Sequence, residues 1–216
     1  MYVSMIRLTL SDREKIDQSD DMEFYKYPRY CYHLDQGFRS RLTKLYEETI
    51  SENSIICDFM SSWVSHLPES RNYKRIIAHG INREELEANK VLDSFWIQNL
   101  NVNTVLPIED DFIDYALMTA GWQYLEYPEK ISKEILKKVK PNGKIIISFS
   151  NRAFWSKAPR IWSENDDLGR IKYIESVLKD SGWRNIESIM EETKLNTLFG
   201  LMKSSGDPFF AVIAEK

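Results

Sequence analysis

From Leu106 to Ser150 the chain reads LPIEDDFIDYALMTAGWQYLEYPEKISKEILKKVKPNGKIIISFS, and few folds accommodate that order of elements. Ile113 to Leu117 is a short apolar run bounded by acidic residues, the pattern of a strand buried on both faces. Pro128 opens a helix, since its fixed φ suits the first turn and its missing N–H is not needed there. Ile131, Ile135, Leu136 and Val139 then recur on one helical face. Pro141-Asn142-Gly143 reads as the stop, and Lys144 to Phe149 as a second buried strand. A strand, a crossover helix and another apolar strand imply a parallel sheet with right-handed connections.

The rest of the chain extends that unit. Leu34, Phe38, Leu42, Leu45 and Ile50 mark an amphipathic helix ahead of the sheet. Ser54–Phe59, Arg75–Ala78 and Ser94–Gln98 read as the first three strands, with a short helix from Asn82 announced by Asn-x-x-Glu. Asp166–Ser181 carries Leu168, Ile171, Ile174, Val177 and Leu178 on one face and stops at Gly182. Trp183–Met190 and Phe209–Ala214 supply the sixth and seventh strands. The expected fold class is α/β, a Rossmann-like, mostly parallel seven-stranded sheet with helices alternating along the chain and lying on both faces. Residues 1 to about 23 are charged and read as a loosely held arm. Residues 1–33 are expected to form an arm and possible lid, and residues 34–216 the folded domain.

Composition narrows the function classes. The chain has 216 residues, 43% hydrophobic and 29% charged, as in one soluble globular domain. A net charge of −4 and the lack of a basic stripe argue against nucleic acid as a partner. No apolar run approaches the roughly 18–20 residues of a membrane span, and the charges of Arg7, Asp12, Arg13, Glu14 and Lys15 are unlike a secretory signal. Cys31 and Cys57 make no disulfide framework, so a reducing cytoplasm is expected. His33, His66 and His79 are too scattered for a metal motif, and no metal is expected. The helices carry no heptad run that would predict a dimer seam.

The LPIEDDFID and KPNG segments resemble the class I S-adenosylmethionine-dependent methyltransferases, in which LP-x-x-(D/E)-x-x-(F/I)-D leads into the fourth strand and K-P-x-G into the fifth. That resemblance implies the strand order 3-2-1-4-5-7-6 with the last strand antiparallel, and S-adenosylmethionine as cofactor. The family's D-x-G-x-G-x-G after the first strand is here Asp58-Phe59-Met60-Ser61-Ser62-Trp63-Val64, with Met60, Ser62 and Val64 at the glycine positions. A subset of methyltransferase-like proteins resembling this one carries D-x-M-S-S-W-V-S-H-L-P, as found from Asp58 to Pro68. The Ser61 and Ser62 amides are expected to meet a carboxylate at the start of a following helix. Met60 either blocks the amino-acid end of the cofactor or folds away from it.

The remaining cofactor contacts follow from strand ends. The family's ribose carboxylate falls at or beside Gly80, where no acid stands. His79 offers one ring nitrogen instead, or is satisfied by neighbouring backbone. Glu84 and Glu85 read as first-turn helix carboxylates. Asn99 or Asn101, near Leu100, can face adenine, or can stabilise a turn. Thr119, Ala120 and Gln123 should line the methionine end, with Tyr124 facing the transferred methyl.

Methyl transfer asks mainly for positioning. Acceptor-side candidates are therefore Tyr27, His33, Tyr124, Asn151 and Arg152, with His33 and Asp35 as a possible base and orienter. Aromatic residues interleaved with Arg suit a planar or anionic acceptor. A small-molecule methyltransferase and a catalytically inactive methyltransferase-like binding or regulatory protein are both carried forward. A nicotinamide-dependent oxidoreductase is disfavoured, because it too needs the glycine-rich loop and ribose acid.

Overall fold

The computed structural model describes residues 8–195 and 204–216. Along the chain come α1 (Asp21–Phe24), α2 (Gln36–Thr49), β1 (Ile55–Asp58), β2 (Arg75–Gly80), α3 (Arg83–Ala88), β3 (Ser94–Ile97) and β4 (Ile113–Thr119). There follow α4 (Pro128–Lys138), β5 (Val139–Phe149), α5 (Arg160–Ser163), α6 (Asp167–Ser181), β6 (Arg184–Glu191), β7 (Lys194–Leu195), β8 (Ser204–Ser205) and β9 (Phe209–Glu215). β7 and β8 pair only with each other.

The other strands form a seven-stranded sheet in the order β3-β2-β1-β4-β5-β9-β6. β9 is antiparallel to both of its neighbours, and the β3-to-β5 pairs are parallel. With β9 as the seventh strand of the expectation, this is the order the resemblance implies. Cys57, Ala116, Met118, Ile145, Ile147, Val212 and Ala214 pack one face against Ile131 and Ile135 of α4 and Ile171, Ile174 and Leu178 of α6. The other face, with Ile56, Leu117, Ile146 and Ala211, lies against Phe38, Leu42, Leu45 and Tyr46 of α2. Neighbouring strand residues alternate between the faces, so runs such as IICD are buried on both sides.

Local signals behave as their chemistry requires. Asp35 caps α2 by accepting from the Phe38 N–H at 2.8 Å, and Asp166 caps α6 from the Gly169 N–H at 2.7 Å. Gly182, at φ 106°, closes α6 in the left-handed conformation. In the KPNG turn the residue with positive φ is Asn142, at 65°, not the glycine. Gly143 is required by space: a Cβ there would lie 2.7 Å from the Asp114 carbonyl oxygen and 2.6 Å from a Val139 methyl. α4 therefore ends before the Pro-Asn-Gly triplet, at Lys138, and Val139 already belongs to β5.

Two expectations are corrected. No helix follows β1 or β3; residues 59–74 and 98–112 are turns and irregular chain. The alternation of strand and helix is thus incomplete in the first half of the sheet, where Leu67 and Tyr73 pack against the α2-side core instead. The described part of the arm is also fastened, not loose. Arg13 pairs with Glu129 at 2.7 Å, and Lys15 is buried between Asp21 at 3.0 Å and Glu126 at 2.8 Å. Lys157, with no exposed surface, donates to the Ser19 carbonyl oxygen at 2.6 Å. Arg7 and the rest of residues 1–7 lie outside the described residues.

Candidate functional site

Parallel strands end in a crevice where loops diverge. Here the ends of β1, β2, β3 and β4 open on a cavity of about 350 Å³, within the usual range for small-molecule sites of roughly 300–1,000 Å³. Its floor includes Met60, Ser61, Ser62, His79, Gly80, Asn99, Leu100, Thr119, Ala120 and Gln123. Tyr25, Arg29, His33 and Leu34 join the lining from the segment between α1 and α2, and Tyr124, Arg152 and Phe154 from the loops after β4 and β5.

The loop after β1 is held by side chains. Met60 has φ 55° and Ala120 φ 50°, a left-handed geometry that costs a residue with a Cβ roughly 1–3 kcal/mol and persists only where its surroundings impose it. Met60 thus keeps the backbone turn a glycine would allow. Its side chain joins the core cluster and fills the space left by Gly121, where a Cβ would stand 2.8 Å from the Met60 Cβ and 3.1 Å from its sulfur. Met60 forms part of the cavity wall, seated against Gly121. Gly80 serves a similar purpose: a Cβ there would lie 2.7 Å from the Ser61 carbonyl oxygen.

His79 anchors this loop. Its Nδ1 accepts the Met60 N–H at 3.1 Å, so Nε2 carries the proton and donates to the Gln98 carbonyl oxygen at 2.8 Å. Burial lowers its pKa to about 4, keeping the ring neutral. Both ring nitrogens are committed to backbone, the second of the two alternatives for His79, and none is left for a ribose. The Ser61 N–H donates to the His79 carbonyl oxygen at 2.7 Å. No helix follows Ser61 and Ser62, so their amides do not open a helix as expected, and the Ser61 amide is already bonded.

Asp58 lies outside this cavity. It is 4% exposed and accepts from the Ser61 hydroxyl at 2.7 Å, with Ser65 as a second hydroxyl partner. Burial raises its pKa to about 6, opposed by those two hydrogen bonds. Asp58 lines a smaller cavity of about 80 Å³ beneath the loop, together with Arg39, Trp63 and His66. Asn89 ties the loop from α3 by donating to the Ser62 carbonyl oxygen and the Ser65 hydroxyl, each at 3.0 Å.

No carboxylate stands at the end of β2, and one lines the cavity from the next helix. Glu85, in the first turn of α3, lines the main cavity. It accepts from the Ser62 hydroxyl at 2.5 Å and from the Arg29 main-chain N–H at 2.7 Å. Asn99 accepts the Asn101 N–H at 3.0 Å, forming a side-chain-stabilised turn. Asn101 is fully used, donating to Asp21 and to the Tyr124 carbonyl oxygen and accepting from the Glu126 N–H. The Thr119 hydroxyl is engaged by Tyr46 at 2.9 Å and Ser148 at 3.2 Å.

On the post-β4 and post-β5 side, the Tyr124 hydroxyl accepts from the Phe154 N–H at 3.0 Å. The Phe154 ring stacks near Tyr124, Tyr25 and His33 with centroid separations of 6.2, 6.3 and 5.5 Å. His33 is held below its ordinary pKa, chiefly by burial. Burial likewise pushes the Tyr25 and Tyr124 phenols up, so both are neutral near pH 7. Two acceptor-side candidates do not reach the cavity: Tyr27 is 74% exposed, and Asn151 is exposed after β5. Asp35 is not an orienter for His33, because its two oxygens accept the Phe38 and Asp207 N–H groups. Sequence reasoning passed over Asp21, Asn82, Glu85 and the cavity position of Ile81. Only the Asn82–Glu85 spacing carried a signal, and it was read as a cap alone.

Among the described residues, no group of three His, Cys, Asp or Glu side chains is arranged to hold a metal ion, and no helix is long and apolar enough to cross a membrane.

A family model described as a methyltransferase domain matches residues 61–147. No curated protein matches the sequence. Among solved structures, the chain is similar to a SAM-dependent methyltransferase from Archaeoglobus fulgidus (13% identity, TM-score 0.59, covering 82% of this chain and 92% of that one). It is also similar to one from Aquifex aeolicus (17% identity, TM-score 0.56, covering 90% and 96%). A third likeness is to the complex of the Haloferax volcanii Trm112 methyltransferase activator with a putative methyltransferase (14% identity, TM-score 0.58, covering 84% and 90%). The resemblance to the class I S-adenosylmethionine-dependent methyltransferase superfamily is borne out by the family match, and the shared fold by these structures.

Proposed function

We propose that this chain binds S-adenosylmethionine in the cavity above β1–β4 and transfers its methyl group to a small-molecule acceptor. The observation that carries this reading is the backbone after β1. Met60 holds the left-handed turn of a glycine and seats its side chain against Gly121, so the close approach typical of the fold is kept without glycine. Cavity size and donor set fit the cofactor. Glu85 replaces the strand-end carboxylate, Asn99 and Leu100 face the adenine end, and Met60, Ser61, Ser62, Gly80, Thr119, Ala120 and Gln123 line the remainder. Asp58 and His79 serve by fixing the loop.

The bound cofactor supplies a sulfonium-activated methyl group, and the chain's own work is to orient the acceptor. Tyr124 and Phe154 form an aromatic wall for it. His33, neutral through burial, is placed to take a proton from a hydroxyl or ammonium acceptor. Arg152 is held at the rim by Asp207 at 2.5 Å. Residues 1–33 act in this reading as an arm and lid over the domain of residues 34–216, in a reducing cytoplasm where Cys31 and Cys57 stay free. Nucleic acid and membrane are not partners in it.

One observation favours a catalytically inactive binding or regulatory protein: two loop amides near the amino-acid end are already bonded to His79. Calorimetric titration with S-adenosylmethionine and S-adenosylhomocysteine separates the readings. Saturable binding by the native protein is expected, with Met60→Gly giving no large gain because Met60 is seated against Gly121. Silence from folded samples of both proteins sinks the enzyme reading.

A further inference from the structure

Two buried polar atoms in the main cavity's lining side chains lack hydrogen-bond partners among the described residues: Nη1 of Arg29 and Oε1 of Gln123. A buried polar group left bare costs about 1–3 kcal/mol, so such a pair in a cavity wall marks where a ligand's polar atoms belong.

The Arg29 head is positioned in advance. Its main-chain N–H is fixed by Glu85, and Nη2 donates to the Phe24 carbonyl oxygen at 2.9 Å. The guanidinium carbon lies 4.9, 5.3 and 5.5 Å from the ring centroids of Phe24, Tyr25 and Phe154. Aromatic packing removes water around the head and leaves the Nη1 edge bare. A guanidinium so held matches a carboxylate, whose oxygens accept N–H donors side by side. Among the described residues no carboxylate forms an ion pair with the Arg29 head. Asp21 is taken by Lys15 and Asn101, Glu85 is engaged by the Ser62 hydroxyl and the Arg29 main-chain N–H, and Asp207 is paired with Arg152.

Gln123 is 1% exposed. Its Nε2 faces the Arg152 carbonyl oxygen at 3.5 Å and the amide also hydrogen-bonds the Tyr124 hydroxyl, which leaves Oε1 as the bare acceptor. It needs a donor from the ligand.

We propose that Arg29 and Gln123 form a recognition site for a small carboxylate that also presents an N–H or O–H donor, Arg29 taking the carboxylate and Gln123 the donor. Two sources share this chemistry. One is the amino-acid end of the cofactor, for which the Met60 and Ser61 amides are no longer available. The other is an amino- or hydroxy-acid acceptor lying against Tyr124 and Phe154. The first source rests on the cofactor reading above, and the second does not.

The test is calorimetry on the native protein, Arg29→Gln, Arg29→Lys and Gln123→Leu, with thermal unfolding to verify that each variant is folded. S-adenosylhomocysteine is compared with 5′-methylthioadenosine, which has the nucleoside and thioether without the amino acid. 2-Aminobenzoate is compared with 2-aminobenzamide, on protein with and without the nucleoside. If the cofactor is the source, Arg29→Gln weakens S-adenosylhomocysteine at least tenfold, leaves methylthioadenosine within twofold, and is partly rescued in Arg29→Lys. If an acceptor is the source, both nucleosides bind alike to native and variant. The native preference for aminobenzoate over its amide, at least tenfold, is then lost in Arg29→Gln, and Gln123→Leu weakens both. The proposal is overturned if Arg29→Gln changes neither comparison, or if the native protein binds neither the amino-acid-bearing nucleoside nor the benzoate more tightly than its neutral counterpart. Failure of both nucleosides with the benzoate preference intact would sink the cofactor reading alone.

Discussion

The two halves of the sheet make their strand-end loops by different means. From β4 onward the chain relies on backbone devices. α4 crosses from β4 to β5 behind an N-terminal proline, α6 crosses from β5 to β6 between an Asp cap and a left-handed glycine, and Gly143 gives way to the Asp114 carbonyl. From β1 to β3 the loops after β1 and β3 carry no helix, and side chains hold the chain in place. His79 spans Met60 and Gln98, Asp58 gathers Ser61 and Ser65, and Asn89 reaches Ser62 and Ser65. The difference teaches that glycine's conformational freedom can be replaced by a polar network strong enough to hold Met60 in a left-handed turn. Stability in the first half then rests on buried polar atoms, which are expensive to disturb.

The largest effect should come from removing the network's hub. His79→Ala deletes a 2%-exposed ring and strips partners from the Met60 N–H and the Gln98 carbonyl oxygen. The expected loss is on the order of 5 kcal/mol, from the cavity and the unsatisfied groups together. It is read from urea denaturation, and a loss below about 2 kcal/mol would show that the loop holds its shape without the ring.

Acid should strain the same half. His79 and His66 titrate near 4 in the folded state against 6.5 in the reference, mainly through burial. The unfolded chain therefore binds more protons between pH 6.5 and 4, and stability falls as pH drops through that window. Asp58 works the other way: its pKa of about 6 against 3.8 means the folded state binds the proton more tightly, so stability rises as pH falls from 6 to 4. Two imidazoles against one carboxyl leave a net loss of roughly 3 kcal/mol from these three groups between pH 7 and 4. Denaturation across that range should show a markedly shallower dependence in His79→Gln, and parallel curves would mean that the imidazole is charged inside the fold.

The same contrast decides what could be read from the residues. Buried strands such as IIISF and FFAVIA, and caps such as Asp166, act through local pattern, so the second half was legible, while the strand order came from the family resemblance. The first-half loops were not, because their determinants are remote in sequence: Asp58, His79 and Asn89 act on one loop. The hydroxyls of Ser61, Ser62 and Ser65 bond to the side chains of Asp58, Glu85 and Asn89, partners that no local pattern announces. After β3, the N–H groups of Asn101 and Val105 are taken by the side chains of Asn99 and Asn103, leaving turns where a helix is usual. Asn82 does cap α3 through the Glu85 N–H at 3.0 Å. The Glu85 carboxylate, however, turns to Ser62 and Arg29 and so into the site, a destination no spacing rule contains.

The halves meet where Met60 packs against Gly121, and a double-mutant cycle can sharpen the comparison there. Gly121 has φ −111°, which alanine adopts without strain, so Gly121→Ala tests space alone. Its Cβ would stand 2.8 Å from the Met60 Cβ, a backbone-proximal atom that cannot swing aside. Overpacking of this kind costs about 2 kcal/mol. In a Met60→Gly background the obstacle is gone, and the cost of Gly121→Ala should fall below about 1 kcal/mol, a coupling that denaturation curves of the four proteins resolve. Additive losses would separate the two residues and remove the reason for a methionine at that turn.

The smallest effect belongs to the second half and serves as its control. Asn142 has φ 65°, close to the 55° of Met60, but it is exposed in the stretch of β5 where the register with β4 shifts. Asparagine tolerates the left-handed region through its short polar side chain. Glycine there would relieve a little strain and add freedom to the unfolded chain, effects of opposite sign and similar size. Asn142→Gly should therefore move stability by less than about 0.5 kcal/mol. Met60→Gly relieves the same backbone conformation but gives up a side chain packed against the core, so it should be the more destabilising of the two. Equal responses would mean that the left-handed turn alone matters, and that the side chains around Met60 do not distinguish the first half from the second.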